Sequence, residues 1–464
     1  MPDLTWPFAG LPAGWEAVLS VVFVVVVAMF CWTVILFVRG LRAAAHPPPA
    51  TDALTDDFLW VFFVPALNEE LTIADSVRRL LDLPLRHRAV MVIDDGSDDH
   101  TGLILDGISD PHLVISHRKA PHAREGKGAA LNQAYRMIER VRGDFPHDRV
   151  IVCVVDADGR LGSDAPKYAA AHFTDSSVGG VQVLVRIYNR GRLLTWLQDL
   201  EFSVYGWLFQ AGRTGWGTAG MGGNGQFNRL SALEDVADAH GGPWRDRLTE
   251  DQDLGLRLVA KGWKGRQELR GTVDQQGIPN LRRLLRQRTR WSQGNLQAMS
   301  LTPEILRAPL PLRARLEQVA YLLMPWWQGV IGVGLVSAIY LLATGTAPLY
   351  GAGTVWQILF FYLLGFGGTV MGCIAARSNR GPVGWLLGFI EGHPYAFYTW
   401  MIWPVLTRSV FRQLTSRRQW ARTEREALEE PTGLPASGQP GRALSRDGSA
   451  RRSARPQTPT PGST

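Results

Sequence analysis

Short acidic clusters follow apolar runs at three places in this 464-residue chain. Val64 is followed by Pro65-Ala66-Leu67-Asn68-Glu69-Glu70, Ile93 by Asp94-Asp95-Gly96-Ser97-Asp98-Asp99, and Val155 by Asp156-Ala157-Asp158-Gly159. An Asp-x-Asp with a small middle residue offers two hard oxygen ligands to one cation. Solvent or phosphate oxygens then fill the remaining positions, a need that Mg²⁺ or Mn²⁺ fits. Taken singly, each cluster is equally a strand-to-turn junction, where Asp, Gly and Ser are ordinary turn formers. Repetition after several apolar runs is what favours a shared site.

Basic residues stand close by in sequence. Arg118, Lys119, Arg124 and Lys127 flank Gly126 and Gly128 at the start of an expected helix, where backbone N–H groups and cations meet phosphate oxygens. Leu248-Thr249-Glu250-Asp251-Gln252-Asp253 opens another helix, with Thr249 as a plausible N-cap and the acids complementing the helix dipole. Capping does not need three acids within four positions, so Asp251 is a candidate general base for an attacking hydroxyl, a role worth about 10²–10⁴ in rate. Gln287-Arg288-Thr289-Arg290-Trp291 lies in a basic amphipathic stretch with Leu281, Leu284 and Leu285 on its apolar side. Such a stretch can lie on a membrane surface. Its Arg forks also suit diphosphate oxygens, and its indole suits a sugar ring.

These residues need a frame. Runs at 58–64, 89–93, 113–116 and 150–155 read as buried strands, and 69–81 and 127–141 as helices, with Leu131, Ala134, Tyr135 and Ile138 at helical spacing. Alternation of the two predicts a doubly wound, mostly parallel sheet that gathers its ligands beyond the carboxyl ends of the strands. All three acidic clusters sit there.

The remainder of the chain is a mosaic: 46% of residues are hydrophobic and 17 are Trp, yet the mean hydropathy is only -0.04. The formal charge of +7 suits anionic lipid, a diphosphate or nucleic acid alike. Cys31, Cys153 and Cys373 each lie inside apolar runs, which supports neither a disulfide framework nor a thiolate metal site. The uncharged run 17–38 is long enough to span a bilayer, and Arg39 and Arg42 place its C-terminal end in the cytoplasm. Runs at 319–343 and 355–376 read as a helical hairpin, and 382–407, interrupted by Glu391, His393, Pro394 and Pro404, as a broken or re-entrant segment. A stretch at 193–209 is either an interfacial helix or core packing. Residues 431–464, rich in Pro, Gly, Ser, Thr and Arg, are expected to form a disordered tail.

Taken in order, PALNEE, DDGSDD, GKGAALN, DAD, GGNGQF, TED and QRTRW resemble the motif series of glycosyltransferase family 2, in the membrane-bound processive branch of cellulose, chitin, hyaluronan and poly-N-acetylglucosamine synthases. The resemblance implies an α/β GT-A fold, a doubly wound, Rossmann-like mixed sheet flanked by transmembrane helices. It implies a cytoplasmic catalytic domain at 56–299, an N-terminal membrane segment within 1–45, an interfacial helix at 300–318 and a membrane region at 319–407. Pro65, Ala66, Leu67 and Glu69, with Asp94 and Asp95, would hold the nucleoside. Leu67 stands where many relatives have an aromatic residue. Lys127 would lie near the diphosphate, Asp156 and Asp158 would bind Mg²⁺ or Mn²⁺, and Asp251 would be the base. Gln287, Arg290 and Trp291 would shape the diphosphate and acceptor site, with Glu250 beside the acceptor and Gly223 and Asn224 in a loop beneath it.

The implied reaction is inverting, metal-dependent transfer of a sugar from a UDP-type nucleotide sugar to a growing β-linked polysaccharide, in a multi-pass protein of the plasma membrane. Transfer of one sugar to a lipid acceptor is the alternative. A catalytically dead sugar-binding subunit would require the loss of Asp251 or the DAD pair, and both are present. Expected partners are the donor, the polysaccharide or lipid acceptor, membrane lipid, and a second copy or an export partner; nucleic acid is not among them.

Overall fold

The computed structural model describes residue 8 and residues 11–238, 241–346 and 355–415. The expected tail at 431–464 lies outside the described residues.

Eight strands form one sheet: β1 (Leu59–Ala66), β2 (Arg88–Asp94), β3 (Leu113–His117), β4 (Val150–Val154), β5 (Arg160–Leu161), β6 (Val178–Ile187), β7 (Gln226–Arg229) and β8 (Lys264–Gln275), in the order β3-β2-β1-β4-β7-β6-β8-β5. The first half, β3-β2-β1-β4, is parallel throughout. β7 then runs antiparallel to both β4 and β6, and β5 antiparallel to β8, so the sheet is mixed. A mostly parallel sheet describes only the part that binds β1 to its neighbours, because the later strands are not linked by simple strand-helix-strand crossovers.

Strand β1 shows why this sheet is buried on both sides. Trp60, Phe62 and Val64 face one core with Val90, Val92, Ile151 and Cys153, while Val61 and Phe63 face the other with Met91, Ile93, Val152 and Val154. Successive side chains alternate between faces, so a continuous apolar run belongs to a strand covered by helices on each side. The helix Ile73–Leu81 covers the first face; Lys127–Arg136 and Glu250–Ala260 cover the second. The expected helix at 69–81 begins only at Ile73, since residues 67–72 form a turn in which the Thr72 hydroxyl bonds the Glu69 carboxylate (3.1 Å). The expected helix at 127–141 breaks at Met137 and resumes as Glu139–Arg142.

Two described helices are long and apolar enough to cross a membrane, Ala13–Ala45 and Met324–Ala343. The second starts later than the expected 319, because Pro325 in its first turn separates it from the preceding helix Leu312–Leu322. The helix Val355–Arg377 packs on Gly381–Thr399, which continues through Pro394 and is followed by Ile402–Leu414. The stretch at 193–209 becomes the helix Leu193–Val204 and a π-helical turn, Tyr205–Gln210. Leu200, Val204 and Leu208 pack with Leu36, Cys373 and Tyr395, so this segment is core that joins the sheet region to the apolar helices.

Candidate active site

The carboxyl ends of β1, β2 and β3 are in register: Ala66 lies beside Asp94, and Asp94 beside His117. Pro65 and Ala66 are thus part of the strand itself, with half-buried Leu67 just beyond it. The Asp95 backbone N–H donates to the Ala66 carbonyl (2.8 Å), fixing the turn after β2 against the end of β1. Asn68, at φ 55°, is held there by its backbone N–H donating to the Ser97 hydroxyl (2.9 Å), and the Glu69 N–H donates to Thr101 (2.7 Å). The first two acidic clusters therefore build one wall together.

Within that wall the two adjacent aspartates have different surroundings. Asp94 accepts from the Ser97 N–H (3.0 Å) and His117 Nδ1 (2.8 Å). That bond holds the His117 imidazole above its usual pKa. Asp95 is buried, accepts the Arg124 N–H (3.0 Å) and pairs with the Arg118 guanidinium. Burial pushes the Asp95 carboxyl up, against the pull of Arg124 and Arg118.

One strand further along the same edge, β4 delivers the Asp-Ala-Asp. The loop before β7 closes on it: the Gly225 N–H donates to the Val154 carbonyl (2.9 Å), and the Asn224 side-chain oxygen accepts the Asp156 N–H (3.1 Å). Buried Asp158 accepts the Gln276 N–H (3.3 Å) from the residue after β8. From the opposite side comes Lys127, in the first turn of its helix, with Nζ 2.7 Å from Asp156 Oδ1 and 3.6 Å from Glu250 Oε1.

Asp251 completes the cluster. A Cβ placed on Gly223 would stand 2.8 Å from Asp251 Oδ2 and 3.3 Å from Lys127 Nζ, so the loop backbone lies directly against both groups. At φ +80° that position also favours glycine on backbone grounds. Burial raises the Asp251 pKa to about 7, Glu250 reinforcing the rise and Lys127 opposing it. Burial by itself would lower the Lys127 pKa, but the charges of Asp156, Glu250 and Asp251 outweigh it and hold the ammonium above its usual range. A carboxylate poised near neutrality beside a fixed cation is suited to accept a proton.

The acids of the Thr-Glu-Asp-Gln-Asp run divide their work. Asp253 is buried and pairs with Arg257 (2.7 Å), a structural role; Glu250 faces Lys127; Asp251 faces the loop. Thr249 occupies the N-cap, yet its hydroxyl bonds the Gln252 side chain (3.3 Å) and makes no capping bond.

The helix Leu281–Ala298, which carries Gln287, Arg290 and Trp291, packs against the Thr249 turn further along, through Gly294 and Gln297. Gly294 has no room for a Cβ against Thr249, and the Gln297 side chain accepts from the Leu248 N–H (3.3 Å). Sequence reading placed the interest on Arg290; the geometry gives Arg288 an anchoring part. Arg288 is buried, forms a two-pronged pair with Glu201 (3.0 and 2.6 Å), donates to Gln287 (2.6 Å), and stacks 4.1 Å from the Trp291 ring. One face of that indole is therefore covered, and the opposed edge of Phe202 lies with its centroid 6.1 Å away. The Tyr398 hydroxyl donates to Glu201 (2.7 Å), tying the same network to the helix Gly381–Thr399. Glu201 was missed in the sequence, although a carboxylate inside the apolar run 193–209 was a readable signal.

Two family models match the chain: "Glycosyl transferase family 2" over residues 61–237 and "Glycosyl transferase family group 2" over 151–370. The chain contains a glycosyltransferase family 2 domain. It is a glycosyltransferase enzyme of an inverting-type, nucleotide-sugar-using family. A beta-monoglucosyldiacylglycerol synthase of Synechocystis is 29% identical over 453 residues, 90% of this chain and 88% of that one. A homologous synthase of Trichormus variabilis is 34% identical, but over 50% of this chain and 48% of its own length. A poly-beta-1,6-N-acetyl-D-glucosamine synthase of Staphylococcus aureus is 27% identical over 57% of this chain and 60% of the relative. Among solved structures, a mannosyltransferase of Pyrobaculum calidifontis in complex with GDP-Man and Mn²⁺ shares the fold, with a TM-score of 0.58, 18% identity, and coverage of 86% of this chain and 99% of that one.

For a divalent cation, the chain offers two carboxylates at the end of β4. No group of three or more His, Cys, Asp or Glu side chains gathers as a metal site among the described residues. Two hard oxygen ligands are too few for a resident ion but fit one that arrives with substrate phosphate and water completing its shell, as Mg²⁺ and Mn²⁺ do.

Proposed function

We propose that this enzyme transfers one hexose, with inversion, from a UDP-type nucleotide sugar to a lipid acceptor at the cytoplasmic face of a membrane. The observation that carries the catalytic part is the gathering of Asp156 and Glu250 on Lys127, which stands with Asp251 against the Gly223 backbone, at the edge of the sheet where β4 ends.

In this reading Asp251 takes the proton of the acceptor hydroxyl as its oxygen bonds to the anomeric carbon. The bond from that carbon to the diphosphate breaks on the opposite side, and its electron pair leaves with the phosphate oxygen. Asp156 and Asp158 would hold the cation, which when bound neutralises charge on the departing diphosphate. Lys127 reinforces that neutralisation from a fixed position, so little reorganisation is required when the charge develops. Asp94, Asp95 and residues 65–69 hold the nucleoside end, while Glu250, Asn224 and Trp291 border the acceptor. Gln287 and Arg290 lie on the diphosphate side.

The acceptor assignment rests on the extent of likeness. Similarity to the lipid glucosyltransferase of Synechocystis runs through 90% of the chain, well beyond the catalytic region, whereas similarity to the polymer synthase runs through 57%. That ordering reverses the preference for a polysaccharide drawn from the motifs. Anchoring is assigned to at least the helices Ala13–Ala45 and Met324–Ala343, with 56–299 as the catalytic region.

The test is direct. Purified protein in vesicles containing diacylglycerol is incubated with radiolabelled UDP-glucose, UDP-N-acetylglucosamine or GDP-mannose, and products are separated by thin-layer and size-exclusion chromatography. A single glycolipid from a UDP-sugar is expected. A ladder of polymer would replace the lipid reading with the polysaccharide one, and no transfer from any donor would remove both.

A further inference from the structure

We propose a binding site for the phosphate headgroup of an anionic glycerolipid, separate from the acidic cleft, in a cavity of about 740 Å³ at the end of the first apolar helix. Its walls are the C-terminal turns of Ala13–Ala45, residues Ala376 and Asn379 at the end of Val355–Arg377, the π-helical turn at Trp207, and β6 and β8. None of Lys127, Asp156, Asp158, Glu250 or Asp251 lines it.

Position and charge both point to a lipid phosphate. Two long apolar helices end at this cavity, so in a bilayer its mouth lies where hydrocarbon gives way to headgroups. Arg39, Arg42, Arg186 and Arg270 line it together with His46 and His172, against Glu268 alone among carboxylates. Most of the inner charges are already matched: Glu268 bonds Arg270 (2.9 and 2.8 Å) and His172 (2.9 Å), and Arg186 pairs with Asp199 (2.8 Å).

The two arginines of the apolar helix are not. Arg39 donates to the Gly212 carbonyl (3.0 Å) and lies 3.8 Å over the Trp216 ring, while Arg42 is exposed; neither makes an ion pair among the described residues. Basic residues that only mark the cytoplasmic side of a helix require no cavity. Here they border one, at the end of an apolar helix, as a headgroup with acyl chains beside that helix requires. Basic pockets between membrane helices recognise anionic headgroups through such residues.

Binding is measured with the full chain in detergent by native mass spectrometry, titrating phosphatidylglycerol or phosphatidylcholine, with inorganic phosphate as competitor. One phosphatidylglycerol per chain is expected to be retained in preference to phosphatidylcholine, and millimolar phosphate should not displace it. Arg42→Glu should weaken retention about tenfold or more, since each basic residue at a membrane surface contributes roughly fivefold. Arg42→Lys should restore it, and Arg140→Glu, the same charge change at an exposed site elsewhere, should leave it unchanged. Among the described residues Arg42 has no side-chain partner to lose, and unchanged thermal unfolding of Arg42→Glu verifies its fold. Equal retention of both lipids, displacement by free phosphate, or an Arg42→Glu variant that binds like the parent would each overturn the proposal. The readout is binding and not sugar transfer, so its failure is distinguishable from failure of the catalytic reading.

Discussion

Replacing Asp251 by Asn keeps the shape of the side chain and removes its ability to accept a proton. With the carboxyl at about 7, roughly one molecule in eleven is ionised at pH 6 and ten in eleven at pH 8, so transfer should rise about tenfold across that interval. The Asn variant should lose about 10²–10⁴ in turnover together with that pH-dependent limb. Lys127 opposes the upward shift, so Lys127→Met should move the limb to higher pH in whatever activity remains.

Linkage supplies a second, independent readout. Between about pH 4 and 7 the folded chain keeps a proton on Asp251 that the unfolded chain releases, so this group's contribution to stability falls as pH rises through that window. Asn carries no such dependence and should be the more stable variant at pH 8, by roughly 2–4 kcal/mol allowing for the part of the carboxyl that water reaches. The assays are initial rates of labelled-sugar transfer from pH 5.5 to 8.5, calorimetric binding of the nucleotide diphosphate, and thermal unfolding at pH 5 and 8. Donor affinity should be retained within a few-fold. Equal loss of donor binding and turnover, or an Asn variant that keeps the rising limb, would refute the role given to Asp251.

Three further outcomes are expected. Gly223→Ala adds a Cβ 2.8 Å from the Asp251 carboxylate at positive φ, and should lower turnover at least tenfold with a smaller effect on donor affinity, measured by kcat and calorimetry. Arg288→Met breaks the pair with Glu201; because that carboxylate keeps 28% of its side-chain exposure, the loss should be on the order of 2–3 kcal/mol, below that for a fully buried pair, read from the unfolding midpoint. Chelation of divalent ions should abolish transfer and loosen nucleotide binding, with Mg²⁺ or Mn²⁺ restoring both, and Asp158→Asn should raise the metal concentration needed for half-maximal rate.

Local pattern alone marked 58–64, 89–93, 113–116 and 150–155 as strands, each within two residues of the observed bounds, and acids after three of them, because a buried strand in a two-sided sheet must be apolar throughout and its ligands must stand beyond it. The long apolar helix at the N-terminus was equally legible, since bilayer thickness sets a length that few other constraints impose. Tertiary structure decided what no window of sequence encodes. It set β7 antiparallel beside β4, which carries Gly223 and Asn224 onto the Asp-Ala-Asp, and it brought Lys127 to Asp156 and Glu250 from 29 and 123 positions away. It also separated the acids of one short run, giving Asp253 to Arg257 and leaving Asp251 at the cleft. Charge, burial and pKa depend on the distance between groups in space, and that distance is fixed only when the sheet closes its order and the helices pack across it.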